Sequence, residues 1–158
     1  MDIEIVPHVG AGPFRLGMSF DEAMQVAHER GTVKHGAEGE RPPGKYVVKQ
    51  PDITLNFVLI FEADEKLDGI ELWRFLSEDE DVQVTLDGFD VFRTPKKELR
   101  RRIEGRGHVI DYNDLGFDGI PDLNVILANA SSQEFPTDPR TGAPLYFDYA
   151  LVATRIAL

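Results

Sequence analysis

Alternation of apolar and polar residues is the dominant pattern along this chain, and it predicts a protein rich in β-strands. The clearest segment is 53–61, in which every second residue is apolar. Val58 and Ile60 are apolar on its other face, so we expect that end of the strand to be covered on both sides. Further strands are predicted at 2–6, 45–49, 66–75, 82–86, 108–112, 123–128 and, as one strand or two, within 145–158.

Two segments have helical spacing and a start signal. Ser19 precedes the apolar stripe of 20–30, and Glu22 follows it by three residues, which is the spacing of a capping box. The hydroxyl is expected to accept the third amide of the helix and the Glu22 side chain to bond back to the cap amide. A second helix is predicted over 95–104, with Thr94 as N-cap and proline at the first helical position.

Glycine-rich and proline-rich segments separate these elements. Loops are predicted at 32–44 and 131–144 because glycine, proline, serine and threonine break the periodicity there. The compact acidic run at 77–81 is interpreted as the joint between two halves, 1–76 and 82–158.

The two halves have the same predicted order of elements. Each contains a strand, a capped helix, a loop and about three antiparallel strands, and short segments match in order, such as 51–53 with 121–123. The expected fold class is therefore α+β, made of two similar halves in which a capped helix packs on antiparallel strands. Neither half is large enough to bury much core alone, so one compact unit is expected.

Composition excludes several classes of site and partner. The chain has no cysteine, which rules out disulfides and thiolate metal sites. Its 28 acidic and 17 basic residues give a formal net charge of −11. Nucleic acids and anionic membranes attract positive charge, so neither is an expected partner, whereas a basic protein domain is. The alternative is that the acidity serves only solubility.

The N-terminal residues and the hydropathy pattern indicate a cytoplasmic location. Residues 1–5 are acidic and alternating and lack the basic and long apolar regions of a signal peptide. No apolar run approaches the ~20 residues of a membrane span.

Residues 12–23 carry a resemblance to known bacterial proteins. Their sequence, Gly-Pro-Phe-Arg-Leu-Gly-Met-Ser-Phe-Asp-Glu-Ala, is similar to the G-x-L-G-M-S/T-x-x-E opening of small helix-plus-sheet modules. Such modules occur in tandem β-lactamase inhibitor proteins and resemble the outer-membrane assembly lipoprotein, and the opening also occurs in immunity proteins encoded beside secreted toxins. The resemblance implies a sheet that binds a protein partner and no catalytic residues.

No assembled catalytic or cofactor site is visible in the sequence. Ser19 lacks the glycine two residues later that a nucleophile elbow requires, and no two histidines have the helical spacing of a zinc site. No cofactor is predicted.

The segment 111–122 begins like a calcium loop, with oxygen donors at Asp111, Asn113 and Asp118. Leu115 and Asp122 depart from that pattern, and such residues also favour turns. These three residues are therefore only a weak metal candidate.

Carboxylates accumulate between residues 62 and 81, and this stretch is the candidate partner surface. Glu71 and Trp73 are two residues apart on one predicted strand and share a face, while Ile70 and Leu72 point the other way. We expect Ile70 and Leu72 in the core and an aromatic anchor beside a carboxylate outside it; the open alternative buries Trp73 and Phe75. The candidate partner-binding residues are Glu71, Trp73, Glu78, Asp79, Glu80 and Asp81.

The leading functional expectation is a non-enzymatic, acidic protein-binding module, an immunity-type inhibitor of a bacterial toxin with a basic domain. Two alternatives remain open. One is a small-molecule or metal-binding protein, and the other is an enzyme that uses dispersed carboxylates.

Overall fold

The computed structural model describes residues 1–35, 41–112 and 116–156. These residues contain two α-helices and thirteen β-strands, and the strands form two sheets. This confirms the predicted α+β class. The helices are α1 (Phe20–Arg30) and α2 (Lys96–Gly105). The strands are β1 (Asp2–Val6), β2 (Gly10–Ala11), β3 (Phe14–Arg15), β4 (Thr32–His35), β5 (Gly44–Lys49), β6 (Asn56–Phe61), β7 (Leu67–Trp73), β8 (Gln83–Leu86), β9 (Phe89–Asp90), β10 (Asp111–Tyr112), β11 (Phe117–Ile120), β12 (Val125–Ala128) and β13 (Tyr149–Ala153).

Both sheets contain strands from the two predicted halves. The larger sheet has the order β10-β11-β12-β13-β7-β6-β5-β4, and all its neighbouring strands are antiparallel. The smaller sheet has the order β3-β2-β1-β8-β9, with the parallel pair β1–β8 at its centre. Residues 1–76 and 82–158 therefore meet through main-chain hydrogen bonds at β7–β13 and at β1–β8.

The hydrophobic core lies between the larger sheet on one side and the smaller sheet with both helices on the other. Phe14 of β3 packs edge-on against Phe57 of β6, with ring centroids 5.3 Å apart. Phe20 of α1 meets Phe61 of β6 at 5.2 Å, and Leu99 of α2 is fully buried. Every second residue of β6 thus enters this core, which is what the alternation over 53–61 predicts.

The start of α1 agrees with half of the predicted capping box. The Ser19 side chain accepts a hydrogen bond from the Glu22 amide at 3.2 Å. The Glu22 carboxylate instead accepts from the Arg15 guanidinium at 3.1 Å. At the other end, a Cβ on Gly31 would lie 1.9 Å from the Lys49 carbonyl oxygen, so glycine is required there by the close approach of β5.

The predicted cap of the second helix is wrong. Helix α2 begins at Lys96, Pro95 occupies the N-cap position, and no side chain caps the helix. The Asp90 carboxylate organises the preceding turn, because its Oδ1 accepts the Phe92 and Arg93 amides at 3.1 and 2.9 Å. The Lys96 amide donates to the Leu145 carbonyl at 2.9 Å, which satisfies one of the helix's free donors.

Several strands differ from prediction in length. The predicted loop 32–44 contains an edge strand, β4, which pairs with β5. The apolar pattern did not predict this strand, because an exposed edge strand needs few apolar residues. Of that loop, residues 36–40 lie outside the described residues. The strand predicted at 53–61 begins only at Asn56, the strand predicted at 108–112 covers only Asp111–Tyr112, and the segment 145–158 forms one strand, β13, whose bounds are Tyr149–Ala153.

The α-helix and the strands that follow it have the same order in the two predicted halves, whereas three strands precede α1 and two precede α2. In each, one helix is followed by four strands, and the four-stranded groups β4–β7 and β10–β13 meet at the centre of the larger sheet. An internal repeat as the origin of this similarity stays a prediction.

The cap at Ser19 can be tested against the predicted cap that the structure does not use. Ser19→Ala should lower the free energy of unfolding by about 1 kcal/mol, because the Glu22 amide loses its acceptor. Thr94→Ala is the matched control and should change stability by less than about 0.5 kcal/mol. Urea unfolding of both variants measures this, and an equal loss in the two would contradict the assignment of the cap.

Candidate functional site

One face of the larger sheet points away from the core and carries mostly apolar side chains. Strand register places Val47, Val58, Glu71 and Leu151 in one row across β5, β6, β7 and β13. We call this surface the open face, and its central residues are Val47, Val58, Ile60, Glu71, Trp73, Tyr149 and Leu151. None of them belongs to the hydrophobic core cluster, and all except Val58 and Glu71 are partly exposed.

A buried carboxylate lies at the centre of the open face. The Glu71 side chain is 8% exposed, and three side chains donate to it. Its Oε1 accepts from the Trp73 indole nitrogen at 3.2 Å, and its Oε2 accepts from the Tyr149 hydroxyl at 2.7 Å and the Lys45 ammonium at 3.2 Å. Because both oxygens are occupied, Glu71 is suited to holding these side chains in place rather than to abstracting a proton.

The aromatic rings beside Glu71 form a fixed pair. Trp73 of β7 and Tyr149 of β13 are directly opposite in the register, and their rings pack edge to face with centroids 4.8 Å apart. Burial and the hydrogen bond to Glu71 raise the pKa of Tyr149 above its ordinary value. The hydroxyl therefore stays protonated and remains a donor to the carboxylate.

The predicted division of this strand between its two faces is confirmed. Ile70 and Leu72 are fully buried in the core, while Glu71 and Trp73 lie together on the opposite face. Glu71 lies outside the core, as expected, but it is not exposed to a partner, because Trp73, Tyr149 and Lys45 contact its carboxylate and it is buried. Phe75, beyond the end of β7, is in the core, so one part of the alternative also holds.

Two of the four acidic residues in the joint accept internal hydrogen bonds through their carboxylates. Glu78 accepts two hydrogen bonds from the buried Arg74 guanidinium, at 2.6 and 3.0 Å. That contact holds the pKa of Glu78 below its ordinary value, against the opposing effect of burial. Burial tends to raise the pKa of Glu80, but hydrogen bonds from Thr54 and from the Ser77 amide outweigh it, and the pKa is lowered.

The remaining two acidic residues of the joint are exposed. Asp79 and Asp81 present their carboxylates to solvent, and Oδ2 of Asp81 lies 3.9 Å from the N-terminal ammonium of Met1. No hydrogen bond or ion pair among the described residues connects the two carboxylates with Glu71 or Trp73. The predicted partner surface thus consists of two places: the Glu71–Trp73 pair on the open face and the acidic joint at 77–81.

The weak metal candidate does not form a site among the described residues. Asp118 is buried on the core side of β11 and accepts two hydrogen bonds from Arg100, at 2.6 and 3.0 Å. Asp111 is exposed on β10, and Asn113 lies outside the described residues. No group of three or more histidine or carboxylate side chains in the described part of the chain is placed to hold a metal ion.

A shallow basin adjoins the open face, and the sequence reasoning missed it. Its volume is about 430 Å³, and it is lined by Ile60, Glu62, Asp68, Gly69, Leu151, Ala153, Thr154 and Arg155. Burial raises the pKa of Asp68, and the nearby Asp64 and Glu62 carboxylates add to the shift. The available signal was Gly69, since glycine inside a strand often marks a place where other groups approach the backbone closely.

Comparison with known proteins gives no relative on which to base a function. No family model, no curated protein and no solved structure matches the chain. Neither helix in the described residues has the length and apolar character that a membrane crossing requires.

The Tyr149–Glu71 contact predicts a specific response to alkaline pH. The unfolded tyrosine ionises near its ordinary pKa of 10.0, while the folded one stays protonated, so stability should fall as pH rises above 10.0. Tyr149→Phe should cost about 2 kcal/mol near neutral pH through the lost bond to a charged acceptor. It should also flatten the alkaline decline, which urea unfolding at several pH values measures; an unchanged slope would contradict the raised pKa.

The Arg74–Glu78 contact predicts a response to acid. A lowered carboxyl pKa stabilises the fold above the ordinary value of 4.5, and this contribution is lost as pH falls through the folded value. Glu78→Gln should lower the free energy of unfolding by about 1–2 kcal/mol at neutral pH, a figure reduced for the partial exposure of Glu78. The difference from wild type should shrink below pH 4.5.

Asp79→Asn is the matched control for Glu78→Gln, because it removes an exposed carboxylate one residue away. It should change stability by less than about 0.5 kcal/mol. Equal losses in the two variants would show that general charge rather than the contact with Arg74 is responsible.

Proposed function

We propose that this chain is a non-enzymatic protein-binding module, an immunity-type inhibitor whose partner is a basic domain of a bacterial toxin. The partner docks on the open face, and Trp73 and Tyr149 are its main anchors. The observation that carries the proposal is the aromatic pair held by the buried Glu71 carboxylate at the centre of a partly exposed, mainly apolar sheet face.

The physical support comes from how protein interfaces obtain their affinity. A few aromatic residues near the centre of an interface supply most of the binding energy, surrounded by contacts that exclude water. Trp73 and Tyr149 are already ordered by their hydrogen bonds to Glu71, so less side-chain entropy is lost on docking. Val47, Ile60 and Leu151 supply partly exposed apolar area around them.

Charge supports the choice of a basic partner. The formal net charge of −11 attracts a basic domain from a distance, which raises the association rate more than the affinity. Asp79 contributes to that field because its carboxylate is exposed, whereas Glu78 is paired with Arg74 and the Asp81 carboxylate lies 3.9 Å from the N-terminal ammonium of Met1. In this proposal the joint attracts the partner and the open face binds it.

The proposal can be tested by cross-linking in the native host. A photoreactive amino acid at Leu151 reports on the open face, and the same group at Val109, which is 73% exposed and outside that face, is the control. We expect one host protein with a basic domain to be linked through Leu151 and not through Val109. That protein is then purified, and its binding to the chain is measured by calorimetry.

Two matched substitutions complete the test. Leu151→Lys places a charge on the open face and should weaken binding of the purified partner at least about tenfold, while Val109→Lys should leave it unchanged. Melting curves establish that both variants remain folded. Equal cross-linking from the two positions, or equal affinities of the two lysine variants, would contradict docking on the open face.

A further inference from the structure

We propose that the basin beside the open face receives an arginine side chain of the docked protein, with Asp68 and Glu62 as its carboxylate partners. This inference rests on the proposed function, because it names the chemistry that the partner presents at one end of the same surface. Ile60 and Leu151 belong both to the open face and to the basin wall, so one partner covers the two without a gap.

Gly69, in the middle of β7, lines the basin between two aliphatic side chains. A Cβ on Gly69 would lie 3.3 Å from Cδ1 of Ile60 and 3.4 Å from Cδ1 of Leu151, so the side chains of the neighbouring strands close around a position that has none. Ile60 and Leu151 therefore close over Gly69, and the basin is bordered there by these two aliphatic side chains. The methylene stem of an arginine packs on such a border while its charged end reaches polar groups.

The charge of the basin is complementary to a guanidinium. Glu62 and Asp68 both line it, and Asp64 lies close enough to Asp68 to raise the pKa of that carboxyl. Oδ2 of Asp68 is enclosed and has no hydrogen-bond partner among the described residues, so the chain's own donors do not saturate this partly exposed side chain. A carboxylate that is desolvated but incompletely paired gains free energy when a donor enters beside it.

The basin's own cation does not already fill this role. Arg155 also lines the basin, and its charge slightly opposes the rise in the Asp68 pKa. No ion pair joins Arg155 to Asp68 or Glu62, all three being within the described residues. An arginine is favoured over a lysine because its planar group donates to two carboxylates in a fixed geometry.

The test uses a small probe and does not require the partner. Acetyl-arginine-methylamide is titrated into the labelled protein, and amide shifts are followed by NMR, with acetyl-citrulline-methylamide as the uncharged control of nearly equal shape. We expect saturable shifts at Gly69, Leu151, Ala153 and Thr154 with the arginine probe only. Responses that are equal for the two probes would overturn the proposal.

Three variants locate the response. Asp68→Asn should weaken binding of the arginine probe about threefold, the range of one partly exposed ion pair, and Arg155→Gln should strengthen it by removing a competing charge. Asp79→Asn, which does not line the basin, should leave it unchanged. Asp68→Asn should remain folded, because burial already disfavours the charge of this side chain.

The outcomes separate this inference from the proposed function. If Asp68→Asn and Asp79→Asn bind the arginine probe alike, the basin does not select a guanidinium, yet the cross-linking through Leu151 and the weaker partner binding of Leu151→Lys still stand. If the probe binds as expected but no protein is linked through Leu151, docking on the open face fails instead.

Discussion

The pairing of β7 with β13 is the constraint on which the rest of the structure depends. It joins the two four-stranded groups into one sheet, and every second residue of these two strands, such as Ile70 and Val152, enters the common core. The intervening residues necessarily face outward, and they include Glu71, Trp73 and Tyr149. A shift of one residue in this register would move the carboxylate into the core and the aliphatic side chains out of it.

Burying Glu71 where β7 pairs with β13 costs free energy of desolvation, and its three hydrogen-bond donors offset that cost. A lone carboxylate in an apolar surface would lose its hydration without compensation. Here the donors come from β5, β7 and β13, and β6 lies between β5 and β7, so the contact depends on the correct pairing of four strands. The same groups that hold the sheet together therefore also hold the aromatic pair that we propose as the anchor. The Arg74–Glu78 contact links the end of β7 to the joint in a similar way.

Local sequence signals predicted the elements whose structure is decided locally. The Ser19 cap, helix α1 and the two faces of β7 agree with the structure, because capping and alternation act within a few residues. The Thr94 cap failed because Asp90 and the distant Leu145 carbonyl satisfy that turn instead. Strand β4 and the basin were not predicted, and the reason is the same for both. Each is formed by contacts with neighbouring strands of the sheet, and the local sequence of an edge strand or of a glycine in a strand indicates little about such contacts.

The distribution of charge explains why composition alone did not locate the candidate site. Six acidic and aromatic residues were expected to bind a partner. Three of them, Glu71, Glu78 and Glu80, accept hydrogen bonds from donors within the chain through their carboxylates. A carboxylate neutralised by a nearby cation contributes little field at a distance, so the run at 77–81 attracts a partner less than its sequence implies. What remains on the open face is mainly apolar and aromatic area, with carboxylates concentrated at the basin. In the proposed complex, the apolar and aromatic residues supply affinity and the carboxylates supply orientation. Charged groups at protein interfaces commonly contribute more to specificity than to affinity.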